Sequence, residues 1–181
     1  MNKRGDIWIS AVIYIGLGIV AITLLLAAGI PIINNLRDKN TFIQTKDLMH
    51  SIDNTINTVV SEGPGSQRFL SPIEIKSGSL EIRGITKQII WTSETKAQLQ
   101  EPGTLIREGN LKLNLSQHRL KKDTYTAEIK LDYSEKQIIL SINDDISKTL
   151  SDIKGKFGMT ITNKGVYSDE IQDTVVDISI T

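Results

Sequence analysis

From Ile7 to Ile33 the sequence reads IWISAVIYIGLGIVAITLLLAAGIPII without a single charged residue. As an α-helix this run extends roughly 40 Å, more than the hydrocarbon core of a bilayer. A core helix of a soluble protein needs only one apolar stripe, whereas this segment is apolar all round. It is therefore read as a membrane-inserting helix, with Trp8 placed where an interfacial aromatic ring sits. A cleaved secretory signal has a shorter apolar core of about 7–15 residues and a small-residue cleavage site. Ala27-Ala28-Gly29-Ile30-Pro31 matches such a site only loosely, so the segment is expected to stay on the chain. Lys3 and Arg4 precede it, and Arg37, Lys39 and Lys46 follow it, partly offset by Asp38 and Asp47. That balance favours a cytoplasmic N-terminus.

The composition removes other classes. Among 181 residues, 21 basic and 21 acidic side chains cancel, which argues against a nucleic-acid binder working through a broad basic field. With no Cys there are no disulfides, thiolate metal sites or Cys nucleophiles. His50 and His118 are the only imidazoles, too few for a three-histidine metal site. No enzyme activity, cofactor or metal is expected.

The start of the chain resembles a known family. Lys3-Arg4-Gly5, a short basic leader ending in Gly, followed by the unbroken helix Ile7–Ile33, is similar to the class III signal of type IV pilins, most closely that of archaeal pilins and archaellins. The resemblance implies that a membrane prepilin peptidase cuts between Gly5 and Asp6 on the cytoplasmic side, leaving the helix on the mature protein as filament core. Bacterial members carry Glu at the fifth mature position, where this chain has Ser10; archaeal members often lack that Glu. Asp6 directly after the cut is a less usual residue for the family. The partners implied are copies of the chain itself, the peptidase, and an assembly ATPase with its membrane platform. Membrane lipid surrounds the helix before assembly.

Beyond the apolar run, Met49, Ile52, Ile56 and Val59/Val60 recur at three- and four-residue spacing, with Leu36 and Ile43 extending the stripe backwards less regularly. Ser61-Glu62-Gly63-Pro64-Gly65 stops the pattern. A helix from Ile7 to Val60 would be roughly 80 Å long, lipid-facing in its first half and amphipathic in its second. Pro31 lacks a backbone donor and should kink or loosen Ala27–Pro31. The small residues Ala11, Gly16, Gly18, Ala21 and Ala28 are candidates for close helix packing, Ala11/Gly18 and Ala21/Ala28 lying seven apart.

From residue 66 on, apolar residues alternate: Leu80/Ile82, Leu111/Leu113/Leu115, Ile129/Leu131/Tyr133 and Val176/Ile178/Ile180. Period two means strands with one buried face. Gly84, Pro102-Gly103, Glu108-Gly109-Asn110, Ser134-Glu135-Lys136 and Asn163-Lys164-Gly165 supply turns. The expected fold is α+β: a leader (1–5), a transmembrane or filament-core helix (6–33), an amphipathic continuation (34–62), and an extracellular antiparallel sheet or sandwich head (66–181). Within the head, Ile146, Leu150 and Ile153 fit a short helix from Asp144 to Gly155.

Other motifs carry less. Asn114-Leu115-Ser116 makes Asn114 a candidate glycan acceptor if the head is extracellular. Asn143-Asp144-Asp145 lacks the remaining ligand spacing of a calcium loop and reads as a helix cap. His118 with Ser116 and Asp123 sits on a polar turn, and local proximity does not make a triad. Gly63-Pro64-Gly65-Ser66-Gln67-Arg68 lacks the ending of a phosphate loop, and Ser66-Gln67-Arg68 is left as an exposed contact. Two functions remain: a pilin-like subunit of a cell-surface filament, or a single-pass, membrane-anchored β-domain that binds a ligand or an envelope complex without polymerising.

Overall fold

The computed structural model describes residues 3–118, 120–168 and 172–181, with side chains from Ala11 on. Two compact units divide the chain, Met1–Arg37 and Asp38–Thr181. The helix α1 is Lys3–Glu62 and contains Pro31 without ending there. In the first unit, helix is the whole of the described structure.

In the second unit, the rest of α1 packs against one eight-stranded sheet. The strands are β1 (Gln67–Arg83), β2 (Gln88–Thr95), β3 (Leu105–Glu108), β4 (Leu111–Gln117), β5 (Tyr125–Asp132), β6 (Ile138–Ile142), β7 (Thr149–Val166) and β8 (Thr174–Ile180). Their order is β3-β4-β5-β2-β1-β7-β8-β6. The expected α+β arrangement of a long helix on a β-sheet head is found, and most neighbouring strands are antiparallel as expected; β6 and β8 run parallel, which makes the sheet mixed. The exception arises because β8 inserts between β6 and β7. β6 itself is Ile-Ile-Leu-Ser-Ile with all five residues buried, a run that carries no alternation to read.

The helical stripe is real. Met49, Ile52, Ile56 and Val59 are fully buried, packed with Leu80, Ile82, Trp91, Leu111, Ile129, Met159 and Ile178. Leu36 and Ile43 do not extend it, being 62 % and 46 % exposed. Ile43 precedes Met49 by six residues, which turns it about 120° off the stripe. Thr45 is buried instead, and the Phe42 ring lies 6.2 Å from that of Trp91. The expected stop is found: α1 ends at Glu62, and Gly63 and Gly65 take φ of 92° and 87°. Ser66 Oγ donates to the Val59 and Gly63 carbonyls at 2.7 and 2.8 Å, satisfying acceptors that a helix end leaves open.

Polar contacts fix the helix in register on the sheet. Asp53 Oδ1 accepts from Tyr133 Oη and from Asn110 Nδ2, both at 2.8 Å. Asn163 is 2 % exposed and donates to the Val59 carbonyl at 3.1 Å.

The short helix expected over Asp144–Gly155 is absent. That segment is a turn followed by β7. Its helix-like spacing comes from a bulge: Leu150 pairs with Ile82 and Ile153 with Leu80, so three residues of β7 match two of β1. Asp152, at φ 59°, is the extra residue's site. Likewise Asn163-Lys164-Gly165 is not a turn but a second bulge inside β7, where the register against β8 shifts and Gly165 has φ 94°. β1 bulges at Gly78, whose φ is 75°; a Cβ there would lie 2.2 Å from the Thr92 carbonyl oxygen.

Three substitutions test this core by chemical denaturation of the full chain, followed through the head's circular dichroism. Ile52→Ala should cost about 2–5 kcal/mol, the range for a buried Leu or Ile cut to Ala. Gly78→Ala, adding both a clash and a left-handed strain, should also destabilise. Tyr133→Phe should cost about 1–3 kcal/mol by taking a partner from the Asp53 carboxylate.

Candidate functional site

The first unit presents a surface that the chain does not cover. From Ala11 to Ile33 every side chain is exposed except at Gly29, which is half-buried; Tyr14 and Leu25 are each 73 % exposed. Thr23, the one aliphatic hydroxyl of the stretch, donates to the Ile19 carbonyl at 2.8 Å. With its main chain bonded within the helix, such a segment offers dispersion contacts and almost no hydrogen bonds. It fits lipid tails or other apolar helices.

The small residues leave shallow places on this surface. A Cβ built on Gly16 or Gly18 would meet nothing within 4 Å. Ala11 and Gly18, and Ala21 and Ala28, lie seven residues apart, so each pair shares a side of the helix to within about 20°. Pro31 lies on the same exposed helix. The backbone of Lys3, Arg4, Gly5 and Asp6 is helical, and their side chains lie outside the described residues, as does the placement of Trp8.

On the head, an ionic contact missed by the sequence ties α1 to the edge strand β3. Glu108 meets Lys46 Nζ at 2.7 Å and His50 Nε2 at 3.3 Å. The Lys46 hydrogen bond is the main cause that lowers the Glu108 carboxyl below its ordinary value. Nothing local signals the contact, since 62 residues separate Lys46 from Glu108. His50 is thus an interface residue of helix and strand. A more buried pair sits on β4 and β5. Burial pushes the Asp132 carboxyl up, but Lys112 Nζ at 2.8 Å and the Ser134 hydroxyl and N–H outweigh it, holding Asp132 well below the usual carboxylate range.

The remaining motifs resolve as structural. Asn114 stands on the face of β4 opposite buried Leu113 and Leu115, half-buried, paired with Glu128 on one side and Leu105 on the other. Its orientation is compatible with modification. Asn143 and Asp144 take φ of 52° and 65° in a tight turn. Asp145 accepts from Ser147 N–H at 2.8 Å and Ser147 Oγ at 2.6 Å, so it closes a turn and does not cap a helix. Among the described residues no group of three or more His, Asp or Glu is placed to hold a metal ion. The described partners of the His118 ring are Glu94, at 3.5 Å, and the Leu120 N–H, not Ser116 or Asp123. Arg68 pairs with Glu62, bracing the turn after α1.

The Asp132 pair gives a pH prediction. Its folded-state pKa is depressed, so its stabilisation is present above the unfolded value of roughly 3.9 and lost as pH falls below it. Lys112→Met should lower stability at neutral pH and flatten the acid limb of a stability-versus-pH curve measured by urea denaturation. An unchanged acid limb would show that the pair does not contribute.

No protein-family model, curated protein or solved structure matches this chain.

Proposed function

We propose that this protein is a pilin-like structural subunit. It is inserted in the membrane with its N-terminus cytoplasmic, processed after Gly5, and assembled through its apolar helix into an extracellular type IV-like filament. The observation that carries this reading is the almost wholly exposed apolar surface of Ala11–Ile33, on a helix whose later turns join the core of a β-rich head. An apolar surface of that length must be covered by something other than this chain. Lipid covers it before assembly, and the same surface of other copies covers it afterwards. The work is mechanical, with heads outermost and helices bundled within.

The Lys3-Arg4-Gly5 leader supports processing, and the seven-residue spacing of small residues supports helix-to-helix packing. The alternative, a membrane-anchored β-domain that never polymerises, shares the same head and helix. It differs in keeping its leader and remaining in lipid.

Intact mass and N-terminal sequencing of the protein from its native cell surface separate them. A chain beginning at Asp6 with the helix retained is the expected result. A chain still beginning at Met1 would favour the static anchor, and one beginning near Ile30 would overturn both. Gly18→Leu combined with Ala21→Leu should leave membrane insertion unchanged while reducing recovery of filaments sheared from cells. Unchanged filament yield would remove the small-residue seams from the account.

A further inference from the structure

We infer that the heads of two copies join by strand addition, β3 of one copy pairing with an open edge of β1 in the next. This goes beyond the proposed subunit role and depends on neither the apolar helix nor its processing. β1 outruns the strand beside it. Its pairing with β2 begins only at Ser79, whereas its pairing with β7 begins at Gln67. Among the described residues no strand lies along the other edge of residues 67–76. In an antiparallel ladder every second residue turns its N–H and C=O away from its partner, so this edge is a template for another strand. Its first four residues are the usable part. After Leu70 the register with β7 shifts, Pro72 has no N–H to give, and Lys76 Nζ is drawn to Gln44 Oε1 of α1 at 3.0 Å.

α1 floors the site. Arg68 bonds Glu62 and Lys76 bonds Gln44, so the helix runs beside residues 68–76 in the opposite direction. Asp47, Ser51, Asn54 and Thr58, one polar face at helical spacing, line with Arg68 and Leu70 an open trough of about 420 Å³. β3 fits it in length and exposure. It is four residues long, ends the sheet order beside β4, and lies within a stretch, residues 101–109, that is exposed throughout. β6, at the other end of the order, is buried at all five positions.

Charge selects the occupant and its direction. Asp47 and Arg107 are both exposed, and among the described residues neither makes an ion pair. Arg68 and Leu70 pair with Ile161 and Met159 of the core, so they face α1 and Phe69 faces outwards. On β3, Ile106 and Glu108 pair with buried Leu113 and Leu111, which leaves Leu105 and Arg107 on the outer side. Laid parallel to β1 with Ile106 beside Phe69, β3 sets Arg107 beside Leu70, at the end of the trough nearer Asp47. Laid antiparallel, it would set Arg107 on Arg68, a like charge. Donor and acceptor edges are different parts of the head, so the contact is heterologous, and repeating it makes an open line of heads.

The chain has no Cys, so single cysteines report cleanly. Full-length chains carrying Phe69→Cys and Ile106→Cys, each with its own affinity tag, are mixed in detergent micelles and mildly oxidised. Phe69 and Ile106 are exposed, so neither replacement opens the core. The expected result is a mixed disulfide in clear excess over that between Ile106→Cys and Thr86→Cys, a control in the exposed turn before β2. Arg107→Asp on the Ile106→Cys chain, or Asp47→Arg on the Phe69→Cys chain, should cut the yield by up to about fivefold, the reach of one exposed ion pair. Both reversals together should restore it. A mixed disulfide no more abundant than the control overturns the inference. So does a yield indifferent to the charge reversals, or a predominant disulfide between two Ile106→Cys chains, which would mean a closed symmetric pair. Mature chains that begin at Asp6 but give no mixed disulfide would sink this inference and leave the subunit reading standing.

Discussion

The burial of one helical stripe in a curled sheet organises the head. Met49, Ile52, Ile56 and Val59 are each fully buried, and they share one core cluster with residues of strands that lie far apart in the sheet order, from β4 to β8. An eight-stranded sheet with only its own side chains on the concave face would need larger residues or a second layer to fill it. α1 supplies that layer. The Asp53 carboxylate, held by Tyr133 and Asn110, then sets the register of helix on sheet, and the Asn163 amide bonded to the Val59 carbonyl fixes the helix end. These polar contacts cost little because each buried group has a partner.

The same helix carries two kinds of surface. Its later turns present an apolar stripe to protein and a polar face to water. Its earlier turns are apolar on every side and covered by no part of the chain. A soluble life for such a molecule would leave a large apolar area in water, against the hydrophobic effect. Lipid and helix bundles would each resolve this physical problem, so the proposed membrane insertion and filament assembly are alternative coverings of one surface.

What could be read from the sequence followed the strength of the periodic signal. Ile7–Ile33 is a long run without a charge, the Met49–Val59 stripe recurs every three or four residues, and β4 and β5 alternate residue by residue. β6 carries no period, so its parallel pairing with β8 was hidden. Bulges produced the misreadings. At Leu150 and Ile153 an extra residue turned a strand's period of two into a helix's period of three, and at Asn163-Lys164-Gly165 a bulge wore the composition of a turn. Ile43 misled because an apolar residue near a stripe need not be on it. The Lys46–Glu108–His50 contact joins residues distant in sequence, and no local pattern encodes it.

The central claim is that Ala11–Ile33 is covered in the cell while the head stands in the extracellular medium. Single-cysteine labelling of intact cells with a membrane-impermeant thiol reagent tests it most directly, because the native chain contributes no background. The account predicts rapid labelling of the Glu101→Cys chain, and labelling of the Ile22→Cys chain only after detergent strips away lipid and neighbouring helices. Equal labelling of both in intact cells would place the helix in water and contradict the account, as would a head that is labelled only after lysis.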